Sequence, residues 1–183
     1  MTTHTRTTYA ITLTREAIAR LDDLAWRRNE FWKKRGVAGR KVGRDRSDLE
    51  INRMGAYGEY AVCVLLGIPF NWRDDCVDDD IDGEIWAKTV QIKTTPVGNH
   101  LLLFRNDEHF KADIAILALV DMRTYTVEIA GWIGKKDFPK VNHPQVVKDY
   151  AGKQPAVPIE RLRPIETLLG FLRPEEDPLD LIQ

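Results

Sequence analysis

The stretch from residue 112 to 121, ADIAILALVD, most constrains the fold, because it is apolar apart from Asp113 and Asp121. A half-exposed strand alternates apolar and polar residues, whereas a strand with both faces covered is apolar almost throughout. We therefore predict a buried central strand here. The segment from 125 to 133, YTVEIAGWI, follows after a short connection and is predicted to be its antiparallel partner.

Two helices are predicted ahead of this sheet. The first begins after Thr14, as N-cap, where apolar residues start to recur at helical spacing, and a weak strand signal precedes it. The second begins at Ser47, three residues before Glu50, which is the pattern of a capping box, and it ends at Gly67 as C-terminal cap. The second half of this helix is apolar nearly all round, so we expect it to be buried.

The chain has 183 residues, of which 43% are hydrophobic and 30% charged. This length and composition indicate one folded domain. We predict an α/β fold with a mixed central β-sheet of four or five strands flanked by α-helices. Along the chain, 1–46 holds the N-terminal strand, helix and basic loop, 47–138 the core, and 139–183 a proline-rich extension with an acidic end and one short helix near 165–172.

No window approaches the roughly 18 apolar residues that a membrane span needs, and the N-terminus lacks the basic and apolar blocks of a signal peptide. Cys63 and Cys76 form no metal-binding or disulfide pattern, so reduced thiols are expected. We expect a cytoplasmic protein with no membrane partner.

The net charge is only −1, but the charges are unevenly distributed. Residues 27–46 contain nine basic and two acidic residues together with three glycines, whereas 174–183 is acidic and has no basic residue. This asymmetry indicates a surface that binds phosphates. The basic residues of the glycine-rich part, predicted to contact nucleic acid, are Arg40, Lys41, Arg44 and Arg46.

The segment DDDIDGEIWAKTVQIKTTP, from 78 to 96, is predicted to form a hairpin. With a turn at 87–88, residues 81–86 pair with 89–93 and Asp82 lies opposite Lys93. The two-residue period of a strand then places Asp82, Gln91 and Lys93 on one face. The opposite face is apolar and comprises Ile81, Ile85, Val90 and Ile92.

Glu59 lies in the second helix, among residues that are expected to enter the core. Burial of an ionised carboxylate is costly unless a cation or hydrogen-bond donors accompany it. The position of Glu59 therefore indicates a partner elsewhere in the chain.

A helix carboxylate, an aspartate at the start of a hairpin and a polar-x-Lys on its second strand together resemble the PD-(D/E)xK nuclease superfamily, which has the restriction-endonuclease-like fold. The resemblance covers roughly residues 47 to 135 and matches Glu59, Asp82, Gln91 and Lys93 to the positions of the family motif. No proline precedes Asp82, and Gln91 stands where Asp or Glu is more usual, so the chain resembles a QxK variant. The segment GWIGKKDF is also similar to one in small phage-borne members.

The resemblance implies hydrolysis of DNA phosphodiester bonds with Mg²⁺, or Mn²⁺ in its place, and without strong sequence specificity. The implied metal ligands are Asp82, Glu59, the side-chain oxygen of Gln91 and the backbone carbonyl of Ile92. Lys93 would orient the attacking water and stabilise the negative charge that develops on the phosphate. With a neutral glutamine in the set, metal binding is expected to be weaker than with three acids.

Several alternatives remain open at the level of sequence. The hairpin polar residues could form an ordinary solvated face, and Asp80 or Glu84 could replace Asp82 as ligand. The protein could be a catalytically inactive nucleic-acid-binding module of the same fold, or an interaction subunit of a phage or prophage assembly that uses its acidic tail. The sequence does not distinguish DNA from RNA as partner, and a homodimer would be needed to cut both strands of a duplex. For Trp26 and Trp32, packing in the first helix is favoured over base stacking.

Overall fold

The computed structural model describes residues 9–36, 47–72, 81–85, 87–104, 107–146 and 153–168. Several predictions lie outside these residues, and the structure does not bear on them. They concern the basic positions Arg40, Lys41, Arg44 and Arg46, the acidic residues Asp78, Asp79 and Asp80, Cys76, and the acidic tail from 174.

The chain begins with strand β1 (Tyr9–Thr12), helix α1 (Arg15–Lys34) and helix α2 (Asp48–Leu66), and continues with strands β2 (Gly83–Ile85) and β3 (Lys88–Pro96). The remaining elements are β4 (Leu101–Leu103), β5 (Ile114–Asp121), β6 (Thr126–Gly134), α3 (Phe138–Val141), β7 (Gln145–Val146), β8 (Lys153–Gln154) and β9 (Ala156–Pro158).

Five strands form the central sheet in the order β1-β6-β5-β3-β2, and only the β3–β5 pair is parallel. The predicted α/β class with a mixed sheet is therefore confirmed, as are the buried strand β5 and its antiparallel partner β6. β5 is buried at every position from Ile114 to Val120, since apolar layers cover both of its faces. Two small antiparallel pairs, β4–β9 and β7–β8, lie outside the central sheet.

The helix ends follow the predicted capping chemistry. The Thr14 hydroxyl accepts a hydrogen bond from the amide of Ala17 at 3.1 Å, which begins α1. Ser47 and Glu50 form the complete capping box, with the Glu50 carboxylate accepting from the Ser47 amide at 2.7 Å. Gly67 ends α2 with a φ of +66°, a left-handed conformation that glycine adopts without steric cost.

Helices α1 and α2 cover one face of the sheet and enclose the first core, which includes Leu21 of α1, Val62 of α2 and Ile116 of β5. The two helices are also joined by a polar contact, because the hydroxyl of Tyr57 in α2 donates to Asp22 Oδ1 in α1 at 2.6 Å. The packing fixes where the polar side chains of α1 and α2 meet the sheet.

The second face of the sheet is covered mainly by β4, β9 and short helical segments. Its core is aromatic: Phe104 and Phe110 stack with ring centroids 4.8 Å apart, and Phe138 meets both rings edge-on. Leu117 and Leu119 of β5 pack into this layer. The residues that cover the second face therefore lie in or next to short segments, such as β4, α3 and β9, whose apolar residues show no strong helical or strand periodicity.

The predicted hairpin exists, but its register is wrong by two residues. Ile85 pairs with Lys88 and Gly83 with Val90, so the numbers of paired residues sum to 173 rather than to the predicted 175, and Ala87 just before Lys88 takes a positive φ of 59°. If the same pairing is extended by one residue beyond Gly83, Asp82 lies opposite Gln91 and not opposite Lys93. A shift of two residues preserves the faces of a strand, so Ile85, Val90 and Ile92 still lie together in the first core.

Two minor predictions concern the ends of the described segments. Residues 166–168 are helical, in the region where one short helix was predicted, and 169–172 lie outside the described residues. No helix within the described residues has the length and apolar character that a membrane span requires.

Candidate active site

Asp82 lies one residue before β2, where the pairing of β2 with β3 ends. Its amide donates to the carbonyl of Val90 at 2.8 Å, and its Oδ2 accepts from the amide of Ile92 at 2.5 Å. The N–H and C=O of one strand residue point to the same side, so the Ile92 carbonyl also points toward Asp82. Beyond the last pair of β2 with β3, the Asp82 carboxylate accepts the hydrogen bond that a further β2 residue would otherwise accept from β3.

The electrostatics of Asp82 show which charges surround it. Burial, and next the negative charge of Glu59, raise the pKa of Asp82 from 3.8 to about 7. The amide of Ile92, the ammonium of Lys93 and the guanidinium of Arg28 act in the opposite direction. The fold therefore brings together Glu59, Asp82 and Lys93, which are far apart in sequence.

Glu59 forms an ion pair with Arg28 of α1. Arg28 Nη1 lies 2.9 Å from Glu59 Oε2, and the two side chains are only 10% and 21% exposed. The expectation that Glu59 needs a partner is confirmed, but the identity of the cation was missed. The signal was present in the sequence, because Arg28 follows Leu21 and Leu24 at the seven- and four-residue spacing of the buried face of α1.

Gln91 is completely buried, so the interpretation of the hairpin polar residues as a solvated face is wrong for this position. Its Nε2 donates to the backbone carbonyl of His109 at 2.9 Å. Its Oε1 is also buried and has no hydrogen-bond partner among the described residues. A buried amide oxygen without a donor is costly, and this atom is the one that the sequence predicts as a metal ligand.

Lys93 lies on the same face of β3 as Gln91 and is half-buried. Its Nζ is 6.0 Å from the centroid of the Phe104 ring, at the border of the aromatic core. The ammonium group of Lys93 therefore lies over an aromatic ring, and its charge lowers the pKa of Asp82.

Cys63, one turn after Glu59 on α2, is buried beside the same carboxylates. Burial, together with the charges of Glu59 and Asp82, raises the pKa of its thiol to about 12. The thiol is therefore protonated at neutral pH and is not a nucleophile.

The described residues contain no cluster of three or more His, Cys, Asp or Glu side chains able to hold a metal ion. Two carboxylates are nevertheless enough to anchor Mg²⁺, which keeps several waters. Glu59 and Asp82 repel each other, and a bound cation would remove this repulsion. Glu84, the alternative ligand, is exposed and pairs with Thr89 on β3. Asp82 and Glu59 therefore suit a divalent metal ion, whereas the Gln91 amide oxygen, on the face of β3 beside His109, stays a predicted ligand.

Taken as a unit, the candidate site consists of two carboxylates, a lysine and a buried arginine at one edge of β3. No protein-family model, no curated protein and no solved structure gives a significant match to this chain.

Proposed function

We propose that the protein is a metal-dependent nuclease that hydrolyses DNA phosphodiester bonds without strong sequence specificity, as a QxK variant of the PD-(D/E)xK superfamily. The observation that carries the proposal is the position of the Asp82 carboxylate, which accepts from the Ile92 amide at the end of the hairpin and whose pKa is raised by burial and by the charge of Glu59. Perturbed carboxylates beside a lysine are typical of sites that do chemistry rather than of ordinary surface.

In this proposal Asp82 and Glu59 hold the metal ion, with the Gln91 amide oxygen and the Ile92 carbonyl as further ligands. The metal ion supplies a bound water of lowered pKa and positive charge for the phosphate oxygens. Lys93 would position the attacking water by hydrogen bonding and stabilise the negative charge that builds up on the phosphate. Each residue therefore has a distinct role that a substitution can remove.

The decisive experiment is cleavage of labelled DNA substrates: supercoiled plasmid, linear duplex, single strand and four-way junction. The wild type is compared with Lys93→Ala and with Lys88→Ala, a control that removes an exposed lysine from the same strand. We expect the wild type and Lys88→Ala to cut with Mg²⁺ or Mn²⁺, EDTA to stop both, and Lys93→Ala to be inactive. Equal cleavage by Lys93→Ala would contradict the proposal.

A second candidate is a nucleic-acid-binding module that keeps this fold without the reaction. The ion pair between Arg28 and Glu59 favours it, because a guanidinium already neutralises one of the two carboxylates. Titration calorimetry with Mn²⁺ separates the candidates. DNA binding by a protein that takes up no metal and cuts none of the substrates would establish the module.

A further inference from the structure

Arg20 of α1 and Arg35, which directly follows α1, stack on aromatic rings. The guanidinium carbon of Arg20 lies 4.0 Å from the centroid of the Trp72 ring, and that of Arg35 lies 4.0 Å from the centroid of the Phe31 ring. Both arginines are exposed, and neither forms an ion pair with an acidic residue in the described part of the chain. Arg27, by contrast, pairs with Asp23 at 2.9 Å. Arg20 and Arg35 are thus oriented by rings and keep their charge for another anion.

Arg20, Arg28 and Arg35 lie along one side of α1. At about 100° per residue, Arg28 lies roughly 80° around the helix axis from Arg20, and Arg35, which directly follows the helix, roughly 60°, so the three guanidinium groups share one sector of the helix surface. From the rise of 1.5 Å per residue, the outer two are roughly 22 Å apart along the axis. Arg28, in the middle, is the residue that contacts Glu59. The guanidinium group in the middle of the three therefore contacts the candidate active site.

The Trp72 ring belongs to an aromatic cluster that adjoins the same site. Its ring centroid lies 4.8 Å from that of Phe70 and 5.9 Å from that of Tyr60, the residue next to Glu59. The carbonyl of Asn71, just before Trp72, accepts from Arg28 Nη2 at 3.4 Å. One pair of an arginine and an aromatic ring thus lies toward each end of this sector, with the Arg28–Glu59 ion pair between them along the helix.

We propose that this side of α1 binds a single-stranded segment of DNA, with phosphates on Arg20 and Arg35 and unpaired bases on Trp72 and Phe31. In a duplex the bases stack on one another and offer no free face, whereas in a single strand they stack on aromatic rings or on guanidinium planes. Each exposed guanidinium group can therefore hold a phosphate, and the ring beside it can hold a base. This inference rests on the proposed function, because the bound single strand is taken to be the substrate that passes Glu59 and Asp82.

The test is binding of a fluorescein-labelled oligonucleotide, single-stranded or paired with its complement, measured by anisotropy in EDTA so that no cleavage occurs. Arg20→Ala/Arg35→Ala is expected to weaken single-strand binding at least about tenfold. It should also reduce the slope of log affinity against log salt by about 1.4, since two phosphate contacts are lost. Duplex binding should change no more than in the control. The control is Lys136→Ala/Arg161→Ala, which removes two exposed basic residues from segments beside the second core.

Trp72→Leu tests the stacking part of the inference. We expect it to weaken single-strand binding about tenfold, while Trp72→Phe, which keeps an aromatic face, restores most of the affinity. Circular dichroism checks that each variant is folded, and if Trp72→Leu is not, the comparison of Arg20→Ala/Arg35→Ala with its control decides the inference. Losses no larger than those of the control, or equal losses for single strand and duplex, would overturn the inference.

The two proposals fail in different ways. If the wild type binds single strands through Arg20, Arg35 and Trp72 but cuts none with Mg²⁺ or Mn²⁺, the nuclease proposal fails and the binding surface stands. If the wild type cuts DNA and these variants bind single strands as tightly as it does, the inference fails alone.

Discussion

Arg28 Nη1 lies 2.9 Å from Glu59 Oε2, so a guanidinium of α1 neutralises the carboxylate that α2 presents beside Asp82. A divalent metal ion at the same carboxylate would meet this positive charge. The ion pair thus both stabilises the metal-free site and opposes metal binding. The same ion pair connects α1, which carries Arg20 and Arg28, to the carboxylates of the proposed active site.

Arg28→Ala should destabilise the metal-free protein by about 2–3 kcal/mol, because it leaves a largely buried carboxylate without its cation. The same variant should bind Mn²⁺ more tightly than the wild type does, since the competing guanidinium is gone. Thermal unfolding with and without Mn²⁺ measures both effects: the metal should raise the Tm of Arg28→Ala by more than that of the wild type.

The matched control is Arg53→Ala, which breaks the half-exposed ion pair between Arg53 and Asp22 at 3.2 Å in the same helix pair. It should cost no more than about 1 kcal/mol. Its Tm should respond to Mn²⁺ as that of the wild type does. A response of Arg28→Ala no larger than this control would show that Arg28 does not compete with the metal.

Asp82→Asn should remove a pH dependence of stability in the metal-free protein. Because the folded-state pKa of Asp82 is about 7 and its ordinary value is 3.8, the native state holds a proton that the unfolded chain releases between these values. Its contribution to stability therefore falls as pH rises from about 4 to 7, by about 2–4 kcal/mol. Urea unfolding in EDTA at several pH values should show a flatter profile for Asp82→Asn; a profile parallel to that of the wild type would contradict the raised pKa.

Gly58→Ala should destabilise the protein by about 1–3 kcal/mol, because α2 lies too close to the sheet for a side chain here. A Cβ would meet the Thr94 side chain at 2.4 Å and 2.8 Å and the Ala118 Cβ at 3.2 Å. Gly55→Ala is the control: its Cβ would meet only Glu59 Oε1 at 3.7 Å, so the better helix propensity of alanine should leave stability unchanged or raised. Thr94→Ala in the Gly58→Ala background should recover part of the loss. Chemical denaturation of the four proteins measures these differences.

Gln91→Glu should destabilise the metal-free protein by about 2–3 kcal/mol, because it buries a carboxylate against the His109 carbonyl and removes the donor of that hydrogen bond. Mn²⁺ should restore much of this loss and bind more tightly than to the wild type, since a third carboxylate joins the site. Calorimetry checks the affinity. The control, Gln91→Met, has a similar volume and should show no recovery with metal; equal behaviour of the two variants would remove Gln91 from the ligand set.

Much of the fold follows from local patterns in the sequence. The apolar run of β5, the N-cap at Thr14, the capping box at Ser47 and the cap at Gly67 all depend on residues within a few positions of one another. Such interactions operate over one helical turn or one strand, so they can be predicted from the sequence. The faces of the hairpin were also predictable, since a two-residue error of register leaves them unchanged.

The sequence by itself determined the α/β class, the two capped helices and the grouping of Glu59, Asp82, Gln91 and Lys93 as candidates. The tertiary structure decided the rest: the pairing of Glu59 with Arg28, the raised pKa of Asp82, the burial of Gln91 beneath the second core and the hairpin register. Each of these depends on contacts between segments distant along the chain, where packing fixes both distance and exposure to water. The burial of these side chains and the charges around them are therefore determined only by the packing of the folded protein.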